Sequence, residues 1–193
     1  MTIIGEDSLC CALAERMVDA LLPKWEISGS VDTCGVTKLV ASLPRYFGFA
    51  RHQFVLCVAD TDGQCPKELL DRWQVANAPQ QFLLRLAVQE AESWALADRE
   101  AFADYFKVVL NKIPFQVDDL GDPKRHVLNL VARSSVRRFR EEMISKVDTA
   151  RPGVGYNLHL QGFVRQAWRC IDAQVHSVSL QRAGKQLLQL ACS

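Results

Sequence analysis

Residues 54–64 decide the fold of this chain, and they read Phe54-Val55-Leu56-Cys57-Val58-Ala59-Asp60-Thr61-Asp62-Gly63-Gln64. The apolar run is typical of a strand buried on both faces, and we expect that strand to end at Ala59. Asp60 and Asp62 then follow it, where both carboxylates can reach one cation and Gly63 can take a positive φ. This pattern indicates a magnesium site. A turn stabilised by hydrogen bonds between side chains and backbone is the alternative interpretation.

The composition is that of an ordinary globular protein. The chain has 193 residues, 49% hydrophobic and 23% charged, with a formal net charge of +1. A chain of this length can bury one sizeable core, and its net charge gives no general reason to bind nucleic acid or a membrane. No apolar run approaches the roughly 20 residues of a membrane span, and no signal peptide is recognisable. We therefore expect a cytoplasmic protein with no membrane partner.

The seven cysteines suggest neither a disulfide framework nor a zinc site. Their number is odd, and their spacing contains no CxxC pair and no Cys/His ligand pattern. We expect most of them to be reduced, with Cys57 acting as a small apolar residue of the buried strand.

Short strands alternate with helices through the first half of the chain. We predict strands at residues 2–4, 25–31, 54–59 and 80–87. The first helix is predicted to be capped by Asp7 or Ser8 and to run towards Pro23. Further helices are predicted at 37–47 with a disturbance at Pro44, from Pro66 onwards, and at 88–97 directly after the fourth strand. This alternation predicts a parallel sheet of about four strands flanked by helices, an α/β fold.

Acidic residues follow three of the predicted strands. Glu6 follows the first, Asp60 and Asp62 the third, and Glu90 and Glu92 the fourth. The carboxyl ends of parallel strands share one rim, where ligands bind, so we expect these side chains to converge. Capping of the following helices is the alternative explanation for each acid taken singly. Helical rotation would turn Glu92 away from Glu90 and towards solvent.

Beyond residue 112 the pattern is helical. An acidic connector is followed by apolar stripes, including one from Leu160 to Val175 and a last one carrying Leu180, Ala183, Leu187 and Leu188. We predict an α/β domain at residues 1–112 and a helical C-terminal subdomain at 113–193 packed on it.

Basic residues cluster in this second half. Lys124, in an Asp-Pro-Lys turn, is the best candidate to direct an ammonium group at a phosphate, and Arg133, Arg137 and Arg182 are candidate nucleic-acid contacts. A solvated helix face with ion pairs is the alternative for the cluster. His126 and His159, and Trp73, Trp94 and Trp168, are interpreted as structural residues.

Several of these segments together resemble the Toprim domain of type IA topoisomerases, bacterial primases and OLD-type nucleases. They look most like a small bacterial Toprim-like family, over nearly the whole chain. The resemblance rests on these segments: residues 4–10, Asp60-Thr61-Asp62, residues 85–98, Asp122-Pro123-Lys124 and Ser179-Leu180-Gln181-Arg182.

The resemblance implies a Mg²⁺- or Mn²⁺-dependent nuclease acting on DNA or RNA. It implies Asp60, Asp62, Glu90 and Glu92 as metal ligands, and Glu6 as general base or as a ligand of a second metal. Related proteins often work beside ATPases in antiviral defence, and this chain lacks the ATPase portion of the OLD-type enzymes. A partner-activated or non-catalytic subunit that binds metal or nucleotide beside an ATPase is therefore the alternative function. Monomer and homodimer both remain open.

Overall fold

The computed structural model describes residues 1–190, which form a four-stranded parallel sheet flanked by helices. The strands are β1 (Thr2–Gly5), β2 (Gly29–Asp32), β3 (Val55–Asp60) and β4 (Phe82–Ala87). Their order in the sheet is β2-β1-β3-β4. The register pairs Thr2 with Gly29 and with Val55, and Val55 with Phe82. The predicted α/β class and parallel sheet are confirmed.

Helices connect the strands and form the C-terminal part of the described chain. They are α1 (Ser8–Leu21), α2 (Val36–Ala50), α3 (Pro66–Arg72), α4 (Ala91–Ala97), α5 (Arg99–Phe106), α6 (Pro123–Val131), α7 (Arg137–Met143), α8 (Tyr156–Gln166), α9 (Cys170–Ala173) and α10 (Val178–Leu190). Short 3-10 turns occupy Val75–Asn77, Leu110–Lys112 and Val117–Asp119.

The central strand is buried as its sequence predicts. The first five residues of β3 are buried, which is expected where helices cover both faces of a parallel sheet. One face packs with Leu39, Leu43, Leu69 and Trp73 from α2 and the α3 region. The other face packs on α1, α4 and the C-terminal helices. The predicted helical C-terminal region is confirmed, whereas the division at residue 112 stays a prediction.

Several predicted element boundaries were wrong. The second strand covers Gly29–Asp32 and not residues 25–31, because Trp25 still belongs to the turn after α1, in which its amide donates to the Leu22 carbonyl. Helix α2 continues through Pro44 to Ala50. Helix α4 begins at Ala91 and not at residue 88, because residues 88–90 form a turn in which the Glu90 amide donates to the Val88 carbonyl.

The apolar stripe from Leu160 to Val175 does not form one helix. Helix α8 ends at Gln166, and Trp168 and Arg169 turn the chain by bonding to the Trp94 carbonyl and the Asp98 carboxylate. Ile171 and Val175 are consequently exposed, contrary to the prediction. Leu188 on α10 is exposed as well, whereas Leu180, Ala183 and Leu187 are buried.

The tryptophans and histidines that the sequence analysis interpreted as structural residues are buried or hydrogen-bonded. Trp73, Trp94 and Trp168 are buried, as predicted. His126 bonds to the Lys112 carbonyl and His159 to Glu142, which agrees with structural roles. The six cysteines within residues 1–190 are free thiols, and Cys192 lies outside the described residues.

No helix in the described part of the chain is long and apolar enough to span a membrane.

Candidate functional site

The predicted acids lie at the carboxyl end of the sheet. Glu6 follows β1, Asp60 ends β3, and Asp62 is in the next turn. Glu90 is the residue before α4, and Glu92 is in the first turn of that helix. The parallel arrangement therefore brings acids from three strand ends to one rim.

Gly5 allows α1 to start directly against the sheet. A Cβ atom at this position would lie 2.5 Å from the Cys11 sulfur and 2.6 Å from the Asp7 carbonyl oxygen, which no side chain tolerates. Asp7 caps α1, its carboxylate accepting a 2.8 Å hydrogen bond from the Cys10 amide. The tight exit turn places Glu6 beside the end of β3.

Glu6 and Asp60 are in direct contact. The Asp60 amide donates to Glu6 Oε2 at 3.1 Å, and the Glu6 amide donates to the Val58 carbonyl at 2.9 Å. Burial raises the pKa of Glu6 and the charge of Asp62 raises it further, although the hydrogen bond from Asp60 opposes the shift. The carboxylate of Glu6 therefore meets the backbone at the end of β3, while convergence of the Glu6 and Asp60 carboxylates on one cation stays a prediction.

The carboxyl group of Asp60 is the most perturbed acid of the rim. Burial, followed by the negative charges of Glu92, Glu6 and Asp7, raises the pKa of Asp60 to about 9. The thiol of Cys10 lies 3.8 Å from Asp60 Oδ1. The charge of Lys124 opposes the shift, but the ion pairs of Lys124 are with other residues. Asp60 is thus a largely buried carboxyl group in a locally negative environment.

Glu90 and Glu92 both contact Lys124. The Lys124 ammonium lies 3.0 Å from Glu90 Oε1 and 3.6 Å from Glu92 Oε1, and its amide donates to Glu90 Oε2 at 2.8 Å. Burial lowers the pKa of Lys124, but the charges of Glu92 and Glu90 outweigh burial and raise it. Lys124 is therefore a charged group within the acidic rim.

The expectation that Glu92 faces solvent was wrong. Its exposed fraction is 4%, and Tyr156 donates a 3.1 Å hydrogen bond from its hydroxyl group to Glu92 Oε1. Burial raises the pKa of Glu92 to about 7, against the opposing charge of Lys124. Glu90 lies before the helix and has an extended backbone. The rotation between two positions of one helix therefore does not separate the side chains of Glu90 and Glu92.

Asp62 differs from Asp60 in its surroundings. It takes a positive φ of 47°, its amide donates to the Gln89 carbonyl, and its side chain is exposed. Gly63 has the predicted positive φ, 73°. Asp60 lies in the strand itself and not beyond it, so the two carboxylates occupy different environments: one largely buried, the other in solvent.

A cavity of about 300 Å³ opens beside Glu92. Its other polar lining groups are Asp7, Lys124, Tyr156 and Asn157, and the loop at residues 152–154 closes one side. Sequence reasoning treated Asp7 only as a cap and missed Tyr156. Nothing in the sequence marks Tyr156 as a partner of an acid 64 positions earlier.

The three arginine candidates, unlike Lys124, do not line this cavity. Arg133 and Arg137 are exposed near the start of α7, and Arg137 forms an ion pair with Glu141 at 2.7 Å, in agreement with the alternative interpretation of that cluster. Arg182 on α10 lines a different cavity, at the edge of the sheet. Their roles as nucleic-acid contacts stay predictions.

The rim carries the oxygen ligands that Mg²⁺ prefers. Its buried carboxyl group at Asp60 would gain from a cation that offsets the surrounding negative charge. Within residues 1–190, however, no group of three or more His, Cys, Asp or Glu side chains is arranged to hold a metal ion. The donor chemistry therefore fits Mg²⁺, while a complete ligand set is not preassembled around one point.

Comparison with known proteins adds nothing to the parallel α/β fold that the strand pairing defines. The chain matches no family model, and neither the characterised proteins nor the solved structures gave a significant match.

Proposed function

We propose that the protein is a Mg²⁺-dependent nuclease of the Toprim type, which cleaves phosphodiester bonds in DNA or RNA. The observation that carries the proposal is the largely buried carboxyl group of Asp60 at the end of β3, which has Glu6, Asp7 and Glu92 as negatively charged neighbours. A carboxyl group with strongly shifted pKa at a strand end is typical of a functional site. The motif resemblance around Asp60, Glu6 and Glu90 supports the same activity.

Asp60, Asp62, Glu90 and Glu92 are the proposed ligands of Mg²⁺ or Mn²⁺. The cation would supply charge neutralisation at the nonbridging phosphate oxygens and activation of a water molecule. Mn²⁺ accepts the same oxygen ligands, so either ion is a suitable probe.

Glu6 is the proposed general base. Its raised pKa suits acceptance of the proton that the attacking water releases as its oxygen bonds to phosphorus and the bond from phosphorus to the leaving oxygen breaks. Lys124 would contribute positive charge to a phosphate oxygen. Because Lys124 now pairs with Glu90 and Glu92, cation binding would compete with it for both carboxylates.

The test is cleavage of plasmid DNA, single-stranded RNA and tRNA by the purified protein with Mg²⁺ or Mn²⁺. We expect the wild type to cleave at least one substrate, and Asp60→Asn and Asp62→Asn to lose about 100-fold or more in rate, since each removes a ligand charge. The matched control is Asp71→Asn, which makes the same change at an exposed acid of α3 and should leave the rate unchanged.

Two outcomes would count against the nuclease. One is a wild-type protein that is inert on all three substrates with either metal. The other is an Asp60→Asn variant that cleaves as fast as the wild type, because the observed activity would then come from elsewhere.

The alternative is a metal- or nucleotide-binding subunit that acts with an ATPase, in antiviral defence or another setting. The ion pairs of Lys124 favour it, since they occupy two of the proposed ligands in the chain on its own. Calorimetric titration separates the two functions. Stoichiometric Mn²⁺ binding that Asp60→Asn abolishes, together with no turnover until an ATPase partner is added, would support the alternative.

A further inference from the structure

β4 is an edge strand that lies at the bottom of a groove. Within residues 1–190 it pairs only with β3. The groove has a volume of about 300 Å³. One wall comes from the α3 side and includes Pro66, Leu70 and Val75, and the other comes from α10 and includes Ser179 and Arg182. We call this feature the edge groove; its floor runs along β4 from Phe82 to Val88.

The backbone of the floor offers hydrogen-bonding groups that have no partner within residues 1–190. The carbonyls of Gln81 and Ala87 accept from Val55 and Thr61, so the odd-numbered residues of β4 direct their amides and carbonyls at β3. In a parallel ladder the amides and carbonyls of the intervening residues point away from that neighbouring strand. The amides and carbonyls of Leu84 and Leu86 therefore face the open edge, where another strand can pair with them.

The two walls differ in chemistry. Side chains of a strand alternate between its faces, so Phe82, Leu84 and Leu86 lie on the α3 side, where the lining is apolar. Arg85 lies on the α10 side and lines the same groove as Arg182.

Neither arginine has a carboxylate partner among residues 1–190. Arg85 Nε is buried and has no hydrogen-bond acceptor, and burial lowers the pKa of Arg85. A buried N–H group without an acceptor is costly, and an anion in the groove would accept from it and be stabilised by the charges of both arginines.

We propose that the edge groove binds an extended acidic segment of a partner protein by strand addition to β4. The backbone of that segment pairs with Leu84 and Leu86, its apolar side chains contact the α3 wall, and its carboxylates contact Arg85 and Arg182. The expected partner sequence thus alternates apolar and acidic residues, which matches the period of a strand. A second copy of this chain fits poorly, because pairing through β4 would place the same positive charges opposite each other.

The probe is an acetylated and amidated hexapeptide of alternating valine and glutamate, titrated into ¹⁵N-labelled full-length protein. We expect the amide signals of Leu84 and Leu86 to shift and their hydrogen exchange to slow. Arg182→Gln should weaken binding by about tenfold, and Arg85→Gln by at least as much, because each removes a charge-assisted hydrogen bond. Arg51→Gln, at an exposed site after α2, is the matched control and should bind like the wild type.

Four control ligands decide between strand addition and a simple anion site. Peptides with lysine in place of glutamate, or with methyl groups on the backbone nitrogens that would pair with β4, should not bind. Free glutamate and inorganic phosphate should bind far more weakly than the hexapeptide. Phosphate binding as tight as that of the hexapeptide would show a simple anion site, and equal binding of the methylated peptide would show recognition without backbone pairing; either result would overturn the proposal. Absence of hexapeptide binding, or insensitivity to both arginine variants, would overturn it as well.

Discussion

Asp60 illustrates how burial changes the chemistry of one residue. Its carboxyl group has a pKa of about 9 because it is removed from water and because Glu92, Glu6 and Asp7 are negative neighbours. Glu92 is shifted in the same direction, to about 7. Functional sites commonly keep such groups at a cost in stability, since an unpaired buried charge is unfavourable.

A pH dependence of stability follows from these shifts. In the unfolded chain Asp60 and Glu92 release their protons near their ordinary pKa values of 3.8 and 4.5. In the folded chain their pKa values are about 9 and about 7. The stabilisation that these two protonated carboxyl groups give the folded chain is therefore complete below their pKa values in the unfolded chain. It is lost as the pH rises through their pKa values in the folded chain. We expect the free energy of unfolding, measured with urea without metal, to fall by at least about 1 kcal/mol between about pH 6 and about pH 9.5.

Asp60→Asn tests the assignment of this pH dependence to Asp60. The amide cannot ionise, so the fall in stability over the same interval should be smaller in the variant, and Asp71→Asn should behave like the wild type. A wild-type stability that is constant or rises over this interval would contradict the assignment. So would an unchanged pH dependence in Asp60→Asn.

At the scale of elements, the junction of β1 and α1 positions the site. Gly5 ends the strand, Asp7 caps the helix, and the intervening Glu6 meets the Asp60 amide. The geometry depends on the short distance between the Gly5 α-carbon and the first turn of α1, because any side chain at this position would overlap Cys11 and the Asp7 carbonyl.

Gly5→Ala should therefore displace α1 from the sheet. We expect it to lower the free energy of unfolding by about 2–3 kcal/mol, the typical cost of overpacking a tight site, as measured by urea denaturation. Gly29→Ala is the matched control, since a Cβ atom there meets nothing within 4 Å on the exposed strand β2. Equal stabilities of the two variants would disprove the close-packing argument.

At the scale of the whole molecule, one hydrophobic core crosses the predicted boundary at residue 112. Leu13 and Trp94 before the boundary belong to the same buried cluster as Leu160, Trp168 and Leu187 after it. Direct bonds accompany this packing: Trp168 donates its indole N–H to the Trp94 carbonyl. Arg169 contacts the Asp98 carboxylate at 2.6 Å.

A chain ending at residue 112 should accordingly not fold stably. Removal of the C-terminal helices would expose the apolar face of α1, α4 and α5, a loss that a small domain cannot offset. We expect poor chemical-shift dispersion in the proton NMR spectrum of this truncated chain, and a single cooperative urea transition for the full-length protein. A well-dispersed spectrum with cooperative unfolding of residues 1–112 would instead establish an independent domain.

The sequence alone determined the fold class and the positions of the acids along the chain. The buried run before Asp60 and the alternation of strands and helices predicted a parallel sheet, and a parallel sheet necessarily brings its strand ends to one rim. This is local information, because periodicity and capping are set by neighbouring residues. For the same reason Asp7 was correctly predicted as a candidate cap of α1.

Only the tertiary structure decided which groups contact one another. It buried Glu92 against Tyr156, paired Lys124 with Glu90, and separated the environments of Asp60 and Asp62. It also left Arg85 without an acceptor beside an open strand edge. These contacts join residues far apart in the chain, and desolvation and charge depend on every element packed around a group, so periodicity and spacing could not predict them.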